Sequence, residues 1–202
     1  SKKMNIIWHG HSCFEITGKD GTIVFDPYQA NSVPGLNSLK LKANLVLCSH
    51  EHDDHNARNC VEVAPKDFKV TCIETYHDHH QGSHRGKNTI HIVDFENLKV
   101  VHMGDIGCMM DDVSKLKNCD VLMIPIGGYY TIDTKEALKY IERIQPRIVI
   151  PMHYHSHEFG YDVLSTNEEF IQQSSSVTYV DDCLEVNKDT KTQTVVFKKP
   201  RN

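Results

Sequence analysis

The chain has 202 residues, enough for a single domain over 1–202 that buries a real core without disulfides or a structural metal. Its 39% hydrophobic and 24% charged residues fit a soluble globular protein, and a net charge of −5 disfavours a non-specific grip on nucleic acid or an anionic membrane. No apolar stretch approaches a membrane span and no signal peptide precedes the first strand, so a cytoplasmic location is expected.

Ile6–Trp8, Phe14–Ile16 and Thr22–Phe25 read as short strands, with Gly-Lys-Asp-Gly at 18–21 as a hairpin turn. Asp26-Pro27 ends the third and opens a loop through residue 37. Leu45–Cys48 and Lys69–Thr75 follow as strands, then a second hairpin, Thr89–Phe95 with Leu98–His102. Beyond it strand and helix alternate. Val121–Ile124 precedes an amphipathic helix over 134–144, with apolar residues at 137, 138, 141 and 144 and a capping box from Asp133 and Glu136. Pro146 stops that helix and Arg147–Ile150 is the next strand. Ser165 with Glu168 caps a last short helix, and weak strand signals lie at 177–180, 183–186 and 194–197. Hairpins first and βα units later suggest sheets packed face to face, with helices outside.

The seven cysteines are odd in number, include no Cys-x-x-Cys pair and in several cases sit in apolar runs, which points to a reducing compartment and away from a zinc ribbon. Fourteen histidines is the abnormal figure, and most fall at 9–11, 50–55, 77–84 and 153–157, the scatter of a composite metal site. The second cluster is the sharpest. The apolar run 45–48 discharges into His50, His52, Asp54 and His55. Alternation along an extended chain puts His50 and His52 on one side, and a turn brings Asp54 and His55 to the same point. Imidazoles and a carboxylate at the end of a rigid strand suit a borderline divalent metal. A solvated His-rich loop is the plainer reading, but such loops rarely follow an apolar strand with four convergent donors. For a further ligand His77, His79, His80 and His84 compete, and spacing alone does not choose. His77 sits at a strand's end, where the backbone is fixed, whereas His84 lies out in a loop.

The pattern His-x-His-x-Asp-His at 50–55 resembles the metal-binding signature of the metallo-β-lactamase superfamily. The resemblance extends in order along nearly the whole chain, to His77 after a strand, Gly104-Asp105 after another and His153 after Ile148–Pro151. It implies an α/β (α+β) four-layer αβ/βα sandwich, two facing mixed sheets with helices outside, and a metal site at one edge between them. It also implies two divalent ions sharing Asp105, one held by His50, His52 and His77, the other by Asp54, His55 and His153. Zn²⁺ is favoured by the imidazoles, while Mn²⁺ or Fe²⁺ is admitted by the carboxylates. The net positive charge of such a pair lowers the pKa of a shared water, so hydrolysis needs no Ser or Cys nucleophile. Asp54, nearest that water, is the expected proton carrier and catalytic residue. Within the superfamily, Gly10-His11-Ser12, Phe25-Asp26-Pro27 and the run 85–88 resemble the small hydrolases related to ascorbate-phosphate lactonases and N-acylethanolamine phospholipases.

The expected activity is therefore metal-dependent hydrolysis of a small polar ester, lactone or phosphodiester, with a small-molecule substrate, no nucleic-acid or membrane partner, and a homo-oligomer as an open option. His11, Asp26, Arg85, Asn88 and Tyr130 are candidates to touch substrate or support the ligands. Each has a plainer reading: a satisfied core histidine, a turn residue, solvated loop residues and aromatic packing respectively. His155 and His157 read as rim residues and Trp8 as core. Superfamily relatives also include di-iron redox proteins and nucleases. The former place Glu where His52 stands and carry a flavin module; the latter need an RNA-gripping arm or inserted domain, and neither feature is present.

Overall fold

A computed structural model describes residues 2–202. The first sheet is built from β1 (Lys3–Gly10), β2 (Cys13–Gly18), β3 (Gly21–Phe25), β5 (Leu45–Leu47) and β13 (Cys183–Asn187), in the spatial order β13-β1-β2-β3-β5. The second contains β7 (Lys69–Tyr76), β8 (Lys87–Phe95), β9 (Leu98–His102), β10 (Val121–Pro125), β11 (Ile148–Met152), β12 (Val177–Val180) and β14 (Gln193–Phe197), ordered β12-β14-β11-β10-β9-β8-β7. A two-stranded ribbon pairs β4 (Leu41–Ala43) with β6 (Val61–Val63). No helix among the described residues is long and apolar enough to cross a membrane.

The two sheets face each other across one apolar core. Along β1 the alternate residues Met4, Ile6 and Trp8 are all at most 2% exposed, so this face is fully spent on packing. Trp8 and Phe14 of the first sheet meet Phe197 of the second, and the Phe25 ring stacks on His102 at 4.9 Å. Strands β10 and β11 are buried along their whole length, as expected of parallel strands covered on both faces. Helix α1 (Thr134–Ile144) has the capping box foreseen from Asp133 and Glu136, and it buries Ala137, Tyr140 and Ile144. It ends at Gln145, in a left-handed conformation just before Pro146.

One expectation is corrected. Helix α2 (Glu168–Gln173) begins after Asn167 with no side-chain cap, and the Ser165 amide is instead spent on the Gly127 carbonyl. Both helices follow β10; in the first half of the chain the ribbon and a single 3₁₀ turn, Arg58–Cys60, occupy the corresponding stretch.

The topology explains why one edge of the sandwich is chemically loaded. In the first sheet β1 is antiparallel to β2, β2 to β3, and β3 is parallel to β5, so β1, β3 and β5 run the same way. In the second, β7 is antiparallel to β8 and β8 to β9, while β9, β10 and β11 are parallel, so β7, β9 and β11 also share a direction. His11, Asp26, the 50–55 run, His77, Asp105 and His153 each lie just beyond the C-terminal end of one of these six strands.

Candidate metal centre

The hub is the Asp105 carboxylate. Its Oδ2 lies 3.0 Å from His55 Nε2, 3.0 Å from His77 Nε2, 3.1 Å from His153 Nε2 and 3.5 Å from His50 Nε2. Asp54 Oδ2 is 3.1 Å from His55 Nε2 and 3.9 Å from His153 Nε2. The donor atoms fall into three groups, each within 4.8 Å: His50, His52 and His77; His11, Asp54, His55 and His153; and, overlapping both, Asp26, His50 and His55. Every ligand candidate named from the sequence is thus brought to one place. His79, His80 and His84 are exposed, and His79 pairs with Glu136 instead.

This donor set fits divalent metal. The Nε2 atoms of His50, His55, His77 and His153 and Oδ1 of Asp105 are buried without a hydrogen-bond partner. The short contacts to Asp105 lack hydrogen-bond alignment, so the lone pairs converge on space rather than on a proton. Buried polar atoms are normally satisfied, and five orphans around one point call for a cation.

Electrostatics agree. Burial pushes the Asp54 and Asp105 carboxyls upward, but His55 and His11 beside the first, and His153, His55 and His50 beside the second, hold both below the usual carboxylate range. Burial lowers His50 to about 3 and His11 to about 4, leaving neutral imidazoles. Burial also works to lower His55, yet the Asp105 and Asp54 carboxylates outweigh it and raise that imidazole.

The surroundings fix this geometry. Asp26, fully buried, accepts from Ser49 N at 2.7 Å and Ser49 Oγ at 2.6 Å, and meets His55 Nδ1 at 2.7 Å. Its burial is offset by His102 and His55, leaving the carboxyl at about 2. That contact sets the His55 ring so that Nε2 aims at the hub. Ser49 Oγ also meets His50 Nδ1 at 2.8 Å. His11 Nε2 lies 2.9 Å from Asp54 Oδ2, and its ring is 4.1 Å from that of His153. His11, Asp26 and His153 adopt φ of 53°, 46° and 58°, left-handed conformations uncommon for residues with side chains and concentrated here at strand ends.

Asn88 does not face the cleft. Its amide donates to Thr75 Oγ1 at 3.1 Å and Met103 O at 3.0 Å, and its Oδ1 accepts from Asp105 N at 2.9 Å, so it places Asp105. Gly104 is required beside it, because at φ 59° an added Cβ would lie 2.4 Å from Ser49 Cβ and 2.5 Å from Asn88 Oδ1. Arg85 and Tyr130 do line the cleft, a cavity of about 250 Å³ bounded also by His52, Asp54, His77, Asp105, His153 and Tyr161. His155 is turned away, its Nδ1 held by Leu164 O at 2.5 Å.

Three contributors escaped the sequence reading. Ser49 and Tyr161 carry no motif. Asp78 had one available signal, an Asp opening a Gly-containing loop directly after a strand-end ligand.

Comparison with known proteins places the chain among relatives. The β-lactamase superfamily domain family matches residues 5–153. A UPF0173 metal-dependent hydrolase of Thermoplasma acidophilum is 28% identical, over 83% of this chain and 89% of the relative. Another, from Staphylothermus marinus, is 30% identical over 73% and 82%. Among solved structures, a candidate Zn-dependent hydrolase of the metallo-β-lactamase superfamily from Thermotoga maritima superposes with a TM-score of 0.76 at 28% identity, covering 96% of this chain and 98% of that one.

Proposed function

The chain belongs to the β-lactamase superfamily, and within it we propose that this metal-dependent hydrolase uses a dinuclear centre to cleave a small polar ester, lactone or phosphodiester. The observation that carries the reading is the ring of unpartnered imidazole nitrogens about Asp105. His50, His52 and His77 would hold one ion, Asp54, His55 and His153 the other, with Asp105 shared. Zn²⁺ suits this ligand set first, with Mn²⁺ or Fe²⁺ as alternatives. When bound, such ions lower the pKa of water and polarise a carbonyl or phosphoryl oxygen.

The protein's own part is positioning and proton transfer. Asp54 is the carboxylate that opens onto the cavity, at 15% side-chain exposure against 2% for Asp105. It can take the proton of an attacking water and return it to the leaving oxygen. His11 holds Asp54 in that orientation, and Asp26 does the same for His55. Neither step uses a thiol; Cys48, the cysteine nearest the motif, is pushed up to about 12 by burial and the neighbouring Asp26.

The test is hydrolysis of a panel of simple esters, lactones and phosphodiesters by metal-replete protein, repeated after removal of metal by a chelator. Turnover of at least one class that disappears with the metal and returns on adding it back is the expected result. Turnover unaffected by complete removal of metal would overturn the reading.

A further inference from the structure

Arg85 stands apart from the other arginines of the chain. Arg58 pairs with Glu51 at 2.7 Å, Arg147 with Asp120 at 2.9 Å and Arg201 with Asp182 at 2.9 Å, while Arg143 donates to the Met110 and Asp111 carbonyls. Arg85 is half-buried and, among the described residues, its guanidinium has no carboxylate or carbonyl partner. It lies over two rings, 5.3 Å from the Tyr130 centroid and 5.8 Å from that of Tyr129. Rings on one side fix a guanidinium in orientation while leaving its N–H edge free for a planar anion. Arg85 lines the cavity together with Tyr130, Tyr161 and candidate ligands from both halves of the site.

Its position is built rather than incidental. Asp78, buried directly after His77, accepts four backbone N–H groups, from His80 at 2.7 Å and Gly82 at 2.9 Å on one oxygen and from His84 at 3.0 Å and Arg85 at 2.7 Å on the other. The loop closes on the strand end through His77 N to Gly86 O at 3.0 Å. One carboxylate therefore ties the backbone of Arg85 to the backbone of His77. The distance between anion site and hub is set by a cage of hydrogen bonds instead of by a free loop.

From this geometry we infer that Arg85 is a specificity-determining residue: the substrate carries a carboxylate or phosphate, besides the bond that is cleaved, and Arg85 holds it against Tyr130. Arg85 and the candidate ligands line one cavity, so the anion and the cleaved bond lie close together in the substrate. An anionic lactone or ester, or a phosphodiester bearing a second charge, fits; a long neutral acyl chain does not place a group where Arg85 waits.

The inference rests on the hydrolase reading, and its test has an arm that does not. With metal-loaded protein, kcat/KM is compared for mono-p-nitrophenyl succinate and its neutral counterpart p-nitrophenyl butyrate, in wild type, Arg85→Ala and Arg85→Lys. In the second arm, methyl phosphate and succinate are titrated separately into metal-free protein and followed by NMR. Wild type should prefer the anionic ester, and Arg85→Ala should lower that preference at least ~10-fold, the scale of one charge-assisted contact, with Arg85→Lys between them. In metal-free protein Arg85→Ala should weaken anion binding by a similar factor, and whichever anion binds more tightly identifies phosphate or carboxylate as the group recognised. Failure of both esters to turn over would remove simple esters from the hydrolase reading, while the binding arm still decides on Arg85. Anion binding or ester preference that survives Arg85→Ala unchanged in a folded protein would overturn the inference.

Discussion

The two halves of the candidate metal centre are braced differently. His55 and His153 are at most 1% exposed, His55 is fixed by Asp26, and Asp54 is fixed by His11. In the other half His52 is exposed and His50 is tethered to Ser49, while His77, like His153 of the first half, has no hydrogen-bond partner on Nδ1. Donors already locked by hydrogen bonds lose little freedom on binding, whereas loosely held ones must be ordered by the ion itself. The buried half, Asp54, His55 and His153, should therefore fill first and release its ion last. Both halves reach the cavity, one through Asp54 and His153 and the other through His52 and His77.

That contrast can be broken at several points. The largest effect is expected at Asp54, where Asp54→Asn keeps the size and one ligating oxygen but loses the charge and the proton acceptor. A loss in kcat of at least ~10²-fold is expected, with metal content measured on the same samples. The neighbouring Asp53 is exposed, and Asp53→Asn should do far less. Next comes Asp26→Asn, which touches no ion yet frees the His55 ring; affinity for the tighter ion should fall roughly 10–100-fold, read by competition with a chromophoric chelator. His77→Ala should instead remove the weaker ion, leaving about one metal per chain by elemental analysis and a large drop in rate. The smallest effect belongs to His84→Ala, because His84 is exposed and only its backbone N–H is used, by Asp78. If His84→Ala proves more damaging than His77→Ala, the choice of strand end over loop is wrong.

Much of this candidate centre is legible in the sequence because its candidate ligands sit just beyond the ends of strands. There, the strand fixes the backbone and the backbone fixes the side chain that follows it. His50, His52, Asp54, His55 and His77 are marked by their place after a strand, and Asp105 and His153 by the superfamily resemblance. The capping box at Asp133 and Glu136 was equally plain, since a three-residue spacing suffices to make it. What escaped depends on contacts far apart in sequence. Ser49 is unremarked until Asp26, 23 residues away, is seen to grip it. Asn88 reads as a solvated loop residue until Asp105 N is found on its Oδ1. The start of α2 was misplaced because Thr166, Asn167 and Ser165 all offer plausible caps, and a tertiary bond to Gly127 decides among them. Tyr161 enters the cavity from a loop whose path is set by its hydroxyl on Ser32 O, 129 residues earlier, a pairing that no local pattern encodes.

The most direct test of the central claim is a calorimetric titration of metal-free protein with Zn²⁺, using a competing chelator to resolve tight binding. Two ions per chain, taken up in two separable steps, are predicted. Asp26→Asn should weaken the first step selectively, and His77→Ala should abolish the second. A folded protein that binds no ion, or binds a single ion regardless of these substitutions, would contradict the account.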